Sequence, residues 1–353
     1  MTQSATSAQV AEVADGVIAV IGGAGIGGRS NSAVILSEGS AAVVDTMLLP
    51  VMAGAILDAI SGRGAEPRLV VNTHSHTDHV GGNAAFPGVP VVAHPVTATL
   101  TAQLAADTSF LGRLFPEFAA ELDELRIRVP TAITPGDITA APGACWLSFG
   151  PAHSRSDVAI WLPQCRVLIT GDLCFNQVTP LALPRHADIA NWIAVLDQLA
   201  AFQPQVVIPG HGPVGGPEAL TATRAYLSAL LSAAGDVAAG RLDTERAIAG
   251  FDLGETAGWT EPGRTRLNLS VAIAELGGGA ADLPPGVPAP VPVAAEHVLA
   301  AGNAATVAGA DGILVDVHPE PAELRAQRPV APGQADTTQT EDRRDTGHRP
   351  VTI

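Results

Sequence analysis

Residues 72–83 read N-T-H-S-H-T-D-H-V-G-G-N, from Asn72 to Asn83, and the rest of the chain is best read outward from them. Arg68–Asn72 has the apolar character of a buried strand, so the run begins where a strand ends. Three histidines and an aspartate then fall within six residues, His74 to His79. Zinc takes neutral imidazole nitrogen and carboxylate oxygen at about 2.0–2.2 Å. In a tight turn His74 and His76 can point to one side, while Asp78 and His79, at the start of a helix, can reach a second ion. His-x-His alone is common; His-x-His-x-Asp-His is far more specific.

Three isolated donors follow, each expected just beyond a strand: His153 in G-P-A-H-S-R-S-D, Asp172 in L-I-T-G-D-L and His211 in V-I-P-G-H-G-P. A lone loop histidine is usually solvated, and an aspartate after Thr-Gly usually forms a turn. Their recurrence at strand ends after the histidine cluster makes a metal site the stronger reading.

Around these motifs, Gly16–Ile21, Ala33–Leu36 and Ala41–Val44 read as consecutive strands separated by turns. Val89–Ala93, Cys145–Phe149, Val158–Leu162, Arg166–Thr170 and Val206–Ile208 read as further strands. Helices are expected over Pro50–Ile60, Pro95–Ala106, Thr108–Phe118, Asp188–Ala200 (Asp188 as cap), Pro217–Leu231, Gly235–Ala249 and Glu261–Leu276. The Phe110, Leu111, Leu114, Phe115 and Phe118 stripe is read as core ahead of substrate wall. The loop Gly22–Asn31 holds five glycines but lacks the G-K-[ST] ending of a phosphate loop, so it is read as a mobile hairpin. Strands in series, then alternating helix and strand, point to an α/β protein with two layered sheets flanked by helices. The expected organisation is a flexible N-terminus (residues 1–10), a main domain (11–235), a helical extension (236–280) and a Pro-rich linker with a largely disordered tail (281–353). Ala281–Val293 alone carries five prolines.

The chain has 353 residues, 47% hydrophobic, with 19 Lys+Arg against 35 Asp+Glu and a formal net charge of −16. That balance argues against nucleic acid as a partner, because polyanions are bound through basic patches. No apolar run is long enough for a membrane span and Met1–Val10 does not read as a secretory signal, so the expected location is the cytoplasm. Cys145, Cys165 and Cys174 lack metal spacing and are read as free thiols.

With these motifs in the family's order, the chain resembles the metallo-β-lactamase superfamily over about Gly16 to Leu231. The resemblance implies a four-layer αββα sandwich. It implies two zinc ions, with His74, His76 and His153 on the first, Asp78, His79 and His211 on the second, and Asp172 bridging both. Iron and manganese suit the same ligands. Asp45, in V-V-D-T, resembles the family's aspartate that steadies the histidine loop. Asp172 stands where two-metal β-lactamases carry a cysteine, which disfavours antibiotic hydrolysis. Segments including S-D-V-A-I-W-L-P and G-W-T-E-P-G-R-T-R-L-N-L are similar to actinobacterial members that act as cyclases or thioesterases in aromatic polyketide assembly.

The function expected is metal-dependent hydrolysis of a thioester, ester or lactone carbonyl. Two ions lower the pKa of a shared water to about 7, and Asp78 and Asp172 are the catalytic carboxylates. The alternative is a polyketide cyclase with coupled thioesterase activity. A β-lactamase, a nuclease and a non-catalytic zinc-binding protein rank lower. The partner expected is a small-molecule substrate, free or as a carrier-protein-bound thioester, and a homodimer is allowed. Arg29 on the glycine-rich loop, and Phe175, Asn176 and Thr179 after Asp172, are candidate substrate contacts. His186 is read as a surface residue.

Overall fold

The computed structural model describes residues 8–23, 25–132, 144–252, 254–277, 304–308 and 314–317. The elements run β1 (Gln9–Ala14), β2 (Val17–Ile21), β3 (Asn31–Ser37), β4 (Ser40–Val44), α1 (Gly54–Ser61), β5 (Glu66–Asn72), α2 (Thr77–Val80), β6 (Val91–Ala93), α3 (Pro95–Ala106), α4 (Leu111–Leu114), α5 (Ala119–Asp123), β7 (Thr131–Ala132), β8 (Cys145–Phe149), β9 (Asp157–Leu162), β10 (Val167–Phe175), α6 (Ile189–Ala201), β11 (Val206–His211), α7 (Pro217–Ala238), α8 (Thr244–Ala249), α9 (Arg264–Glu275), β12 (Ala304–Ala308) and β13 (Leu314–Val317). Strands β1 to β7 form one sheet in chain order. The other runs β11-β10-β9-β8-β12-β13.

Side-chain alternation explains the layers. In β2, Val17, Ala19 and Ile21 join the core between the sheets, with Trp146, Val158 and Ile160 from the other sheet. Ile18 and Val20 point the other way, onto Ile56 and Ile60 of α1. With a period of two, a strand buried on both faces must be apolar throughout, and β2 is buried at every position. A third core lies on the far side of the second sheet, where Trp192 and Leu196 of α6, Leu227 and Leu230 of α7 and Leu269 and Ala272 of α9 pack. The result is an αββα sandwich.

Several boundaries differ from expectation for local reasons. β1 begins at Gln9, inside the stretch expected to be flexible, because Val10 pairs with Val20 of β2. Pro50–Ala53 is a turn before α1. The expected helix over 108–118 breaks into α4 and a 3-10 turn at Pro116–Phe118, since proline lacks the N–H that would continue the ladder. The helix expected over 235–249 is interrupted by Gly240, whose φ of +70° or so lies in the left-handed region. Asp188 caps α6 as expected, its carboxylate accepting from the Asn191 N–H at 2.8 Å. β12 and β13, which the sequence did not place, extend the second sheet from β8. The remainder of the linker and tail, including 319–353, lies outside the described residues. Cys145, Cys165 and Cys174 are free thiols. Among the described residues no helix is long and apolar enough to cross a membrane.

Candidate metal centre

The two parallel pairs that matter here, β4 with β5 and β10 with β11, both end at one edge of the sandwich. β10 continues through Asp172 and β11 through His211, so these donors sit at the carboxyl ends of their strands and not beyond them. The histidine loop leaves β5 at Asn72 and enters α2 at Thr77. Its two flanking asparagines pair with each other. Asn83 Nδ2 donates to Asn72 Oδ1 at 2.9 Å, and Asn72 Nδ2 donates to Asn83 Oδ1 at 3.0 Å. Thr46 Oγ1 also donates to Asn83 Oδ1 at 2.8 Å. Both asparagines are fully buried, so their amides fix the loop's two ends where an unpaired polar group would be costly.

Seven side chains converge there. His76 Nδ1 lies 3.1 Å from His74 Nε2 and 2.9 Å from His153 Nε2. Asp172 Oδ2 is 3.3 Å from His153 Nε2, 3.4 Å from His211 Nε2 and 3.9 Å from His74 Nε2. Asp172 Oδ1 is 3.1 Å from His79 Nε2, and Asp78 Oδ2 is 3.2 Å from His211 Nε2. The atoms group as His74, His76, His153 and Asp172 on one side and Asp78, His79 and His211 on the other.

The donor set fits metal ions. Tetrahedral bonds of about 2.0–2.1 Å place ligand atoms roughly 3.3–3.4 Å apart, close to the spacings found. His79 Nε2 and Asp172 Oδ1 are buried and have no hydrogen-bond partner despite their proximity, because their geometry is that of two lone pairs facing a common point. Far-side hydrogen bonds select the tautomers that present those lone pairs. His79 Nδ1 donates to Asp45 Oδ2 at 2.8 Å, His74 Nδ1 to Thr73 Oγ1 at 2.9 Å, and His211 Nδ1 to the Arg29 carbonyl at 3.2 Å. Asp45 also accepts from the Thr73 N–H and hydroxyl, each at 2.7 Å, so it braces the loop without facing the metal point. The His153 ring is held by packing instead, 5.1 Å from Trp192 between centroids.

Electrostatics agree with the geometry. Burial, followed by neighbouring imidazoles, holds His74 and His76 well below the usual histidine range, and burial does the same to His153. They are therefore neutral, the form that binds metal. Burial also disfavours charge on His211, but the Asp172 and Asp78 carboxylates outweigh it and raise that group to about 9. Burial would raise Asp78 and Asp172, yet the surrounding histidines hold both carboxyls low. His79 is raised as His211 is, the Asp172 and Asp45 carboxylates outweighing its burial, so imidazolium protons on His79 and His211 balance these carboxylates and a metal ion would have to displace them. Gly210 is required here, since a Cβ at that position would collide with Asp172 Oδ1.

Four members of the cluster, His76, Asp78, Asp172 and His211, form the floor of a cavity of about 580 Å³, walled mainly by apolar side chains such as Leu104, Phe110, Phe115, Phe175, Leu183 and Leu267. Of the substrate contacts expected from sequence, Phe175 lines it and also stacks on His211, with ring centroids 5.3 Å apart. Arg29, Asn176 and Thr179 do not line it. The Arg29 guanidinium pairs with Glu117 at 2.8 Å and lies over the Phe118 ring. Asn176 Nδ2 donates to the Pro213 carbonyl at 2.9 Å, and the Thr179 carbonyl accepts from Arg264 Nη1 at 2.9 Å. The Arg29 and Asn176 side chains are thus engaged away from the cavity, and Thr179 is held through its main chain. His186, read as a surface residue, instead lines the cavity, its ring 5.6 Å from that of His76. Arg264 and Leu267, from α9, line it too; they lie in the segment G-W-T-E-P-G-R-T-R-L-N-L that carries part of the resemblance, without a spacing that marks either as a wall residue.

Such a donor set at the shared edge of two packed sheets defines a metal-dependent hydrolase. The chain belongs to the Metallo-beta-lactamase superfamily, whose family model matches residues 25–211, more than half its length. It is similar to a type 2 metallo-beta-lactamase from Bacteroides fragilis, 25% identical over 55% of this chain and 74% of that one. It is 29% identical to the human metallo-beta-lactamase domain-containing protein 1 over 45% of this chain, and 30% identical to a Synechococcus hydroxyacylglutathione hydrolase over 38%. These matches span only 53% and 44% of the two relatives. Among solved structures, a metallo-beta-lactamase from Pontibacter korlensis superposes with a TM-score of 0.51 at 23% identity, over 63% of this chain and 99% of that one. The likeness to that structure is one of fold.

Proposed function

We propose that the chain uses two zinc ions to hydrolyse a thioester, ester or lactone whose acyl part is apolar. The observation that carries this reading is the position of the donor cluster at the floor of a mainly apolar cavity of about 580 Å³, within the usual range for small-molecule sites. One relative's name, hydroxyacylglutathione hydrolase, is that of an acyl hydrolase.

When bound, the ions would activate water and polarise the carbonyl. His74, His76, His153 and Asp172 would hold one, and Asp78, His79 and His211 with Asp172 the other. The residues of the chain do the positioning. Asp45, Thr73 and the Arg29 carbonyl keep the ring protons of His79, His74 and His211 on their far nitrogens. Asp78 is 13% exposed and lines the cavity, which supports the reading that its carboxylate orients the attacking water. The apolar walls exclude other water and seat the acyl group, which aligns the carbonyl over the floor.

The size of the cavity also favours a second reading, cyclisation of a bulky polyketide thioester. The deciding experiment measures metal content together with turnover of an acyl thioester, a lactone, a cephalosporin and a polyketide-like thioester mimic, for wild type and Asp172→Ala. We expect about two zinc ions per chain and thioester turnover that falls on the order of 10²–10³-fold in the variant, as for loss of one electrostatic group. A ring-closed product from the mimic would favour the cyclase. No metal and no turnover would overturn both.

A further inference from the structure

Helix α9 lies beyond the family-matched residues 25–211, yet it and the short segment before it hold the loop that follows β10 along most of its length. Thr260 N–H donates to the Gln177 carbonyl at 3.0 Å, and the Thr260 carbonyl accepts from the Thr179 N–H at 2.9 Å. Arg264 Nη1 takes the Thr179 carbonyl at 2.9 Å. Asn268 Oδ1 accepts from the Ala182 N–H at 2.8 Å, and its Nδ2 donates to the Pro180 carbonyl at 2.7 Å and to Tyr226 Oη at 2.8 Å. Glu275 accepts the N–H groups of Ile189 and Ala190 at 2.8 and 2.9 Å. Arg264, Asn268 and Glu275 are spaced four and seven residues apart, the period that puts them on one helix face.

The loop so held carries Leu181, Leu183 and His186 into the cavity, and α9 adds Leu267 directly. Asn268 is fully buried, and each polar atom of its side chain is bonded. A buried amide satisfied in this way has one favourable orientation, so it sets one position for the Pro180–Ala182 backbone. The helix is thus both a wall and the frame of the neighbouring wall, while none of the seven metal donors lies on it.

We propose that α9 determines which acyl chain the site accepts, with Leu267 as a wall residue and Asn268 as the positioning residue for the Leu181–Leu183 wall. This rests on the acyl-hydrolase reading above for its substrate class, but the division between wall and floor can be tested without turnover. Wild type, Leu267→Trp and Asn268→Ala would be compared in three measurements. These are zinc content, kcat/KM on decanoyl and acetyl thioesters of one small thiol, and calorimetric affinity for decanoate and acetate.

Leu267→Trp should narrow the cavity and lower decanoyl kcat/KM and decanoate affinity about tenfold, the scale of a lost apolar fit, with smaller losses for acetyl substrate and acetate and zinc content unchanged. Asn268→Ala should lower the decanoyl-to-acetyl ratio through KM, with kcat kept. Unchanged ratios in both variants, or equal losses on both chain lengths, would overturn the proposal. If Asn268→Ala does not fold, Leu267→Trp decides alone, its residue being only partly buried. If wild type turns over neither thioester, the acyl-hydrolase reading fails, and the decanoate-to-acetate affinity ratio still decides whether α9 selects the chain.

Discussion

The floor and the walls of the cavity are held in different ways. At the floor, hydrogen bonds from neighbouring groups fix His74, His79 and His211 on the nitrogen facing away from the metal point. At the walls, Phe110 and Phe115 come from short helical pieces broken at Pro116, and Leu181, Leu183 and Leu267 from a loop and a helix joined by long-range hydrogen bonds. The floor depends on residue identity and on tenths of an ångström, because a metal ligand in the wrong tautomer is no ligand. The walls need only be apolar and correctly placed, so many residue combinations serve.

The largest effect expected in breaking this contrast is at Asp45, which touches no metal donor but His79. Asp45→Asn leaves one acceptor oxygen where the carboxylate serves the Thr73 N–H, the Thr73 hydroxyl and His79 Nδ1. Zinc affinity should fall about 10–100-fold, the usual consequence of losing a ligand's outer partner. Competition with a chelator would measure it. The decanoyl-to-acetyl preference of the metal-saturated variant should stay as in wild type. A changed preference with unchanged zinc affinity would mean that floor and walls are not separable.

Phe115→Ala tests the opposite side. Its ring lines the cavity and packs against Gly28 of the glycine-rich loop. Removing it should raise KM for a decanoyl thioester about tenfold, with zinc content and acetyl turnover unchanged. Loss of metal in this variant would show that the wall supports the floor.

The same contrast explains what the sequence disclosed. The seven candidate donors were legible because their chemistry restricts the residue types and four of them fall within six positions; of the others, His211 ends β11, Asp172 lies within β10 and His153 lies in the loop between β8 and β9. The sandwich could be read from apolar runs punctuated by turns. The walls were legible only in part: Phe175, expected at the site, lines it, and so do Phe110 and Phe115 of the stripe read as core. Leu267 comes to line one cavity with Leu181 and Leu183 only through tertiary structure, and no spacing around it marks it as a wall residue. His186 looked like any loop histidine until the chain brought it beside His76. Arg29, Asn176 and Thr179 sit on loops that adjoin the site, but loop position does not decide where a side chain goes: Arg29 turns to Glu117 and Asn176 to the Pro213 carbonyl. For Arg29 the loop's contribution is a main-chain carbonyl, which any residue type would supply.

That last point gives the smallest expected effect. Glu117→Gln removes the charge paired with Arg29 while leaving a hydrogen-bond acceptor in place. The Glu117 side chain is 44% exposed, against 7% for Arg29, so solvent screens the pair and its loss should cost no more than about 1 kcal/mol. For a domain of this size that lowers Tm by roughly 2–4 °C at most. KM for both thioesters should change less than twofold, because the guanidinium remains over the Phe118 ring and the carbonyl that orients His211 belongs to the backbone. A KM shift of fivefold or more at unchanged Tm would mean that the released guanidinium reaches the substrate. Arg29 would then be a binding residue held in reserve by Glu117, and the glycine-rich loop would count with α9 among the parts of the molecule that choose the substrate.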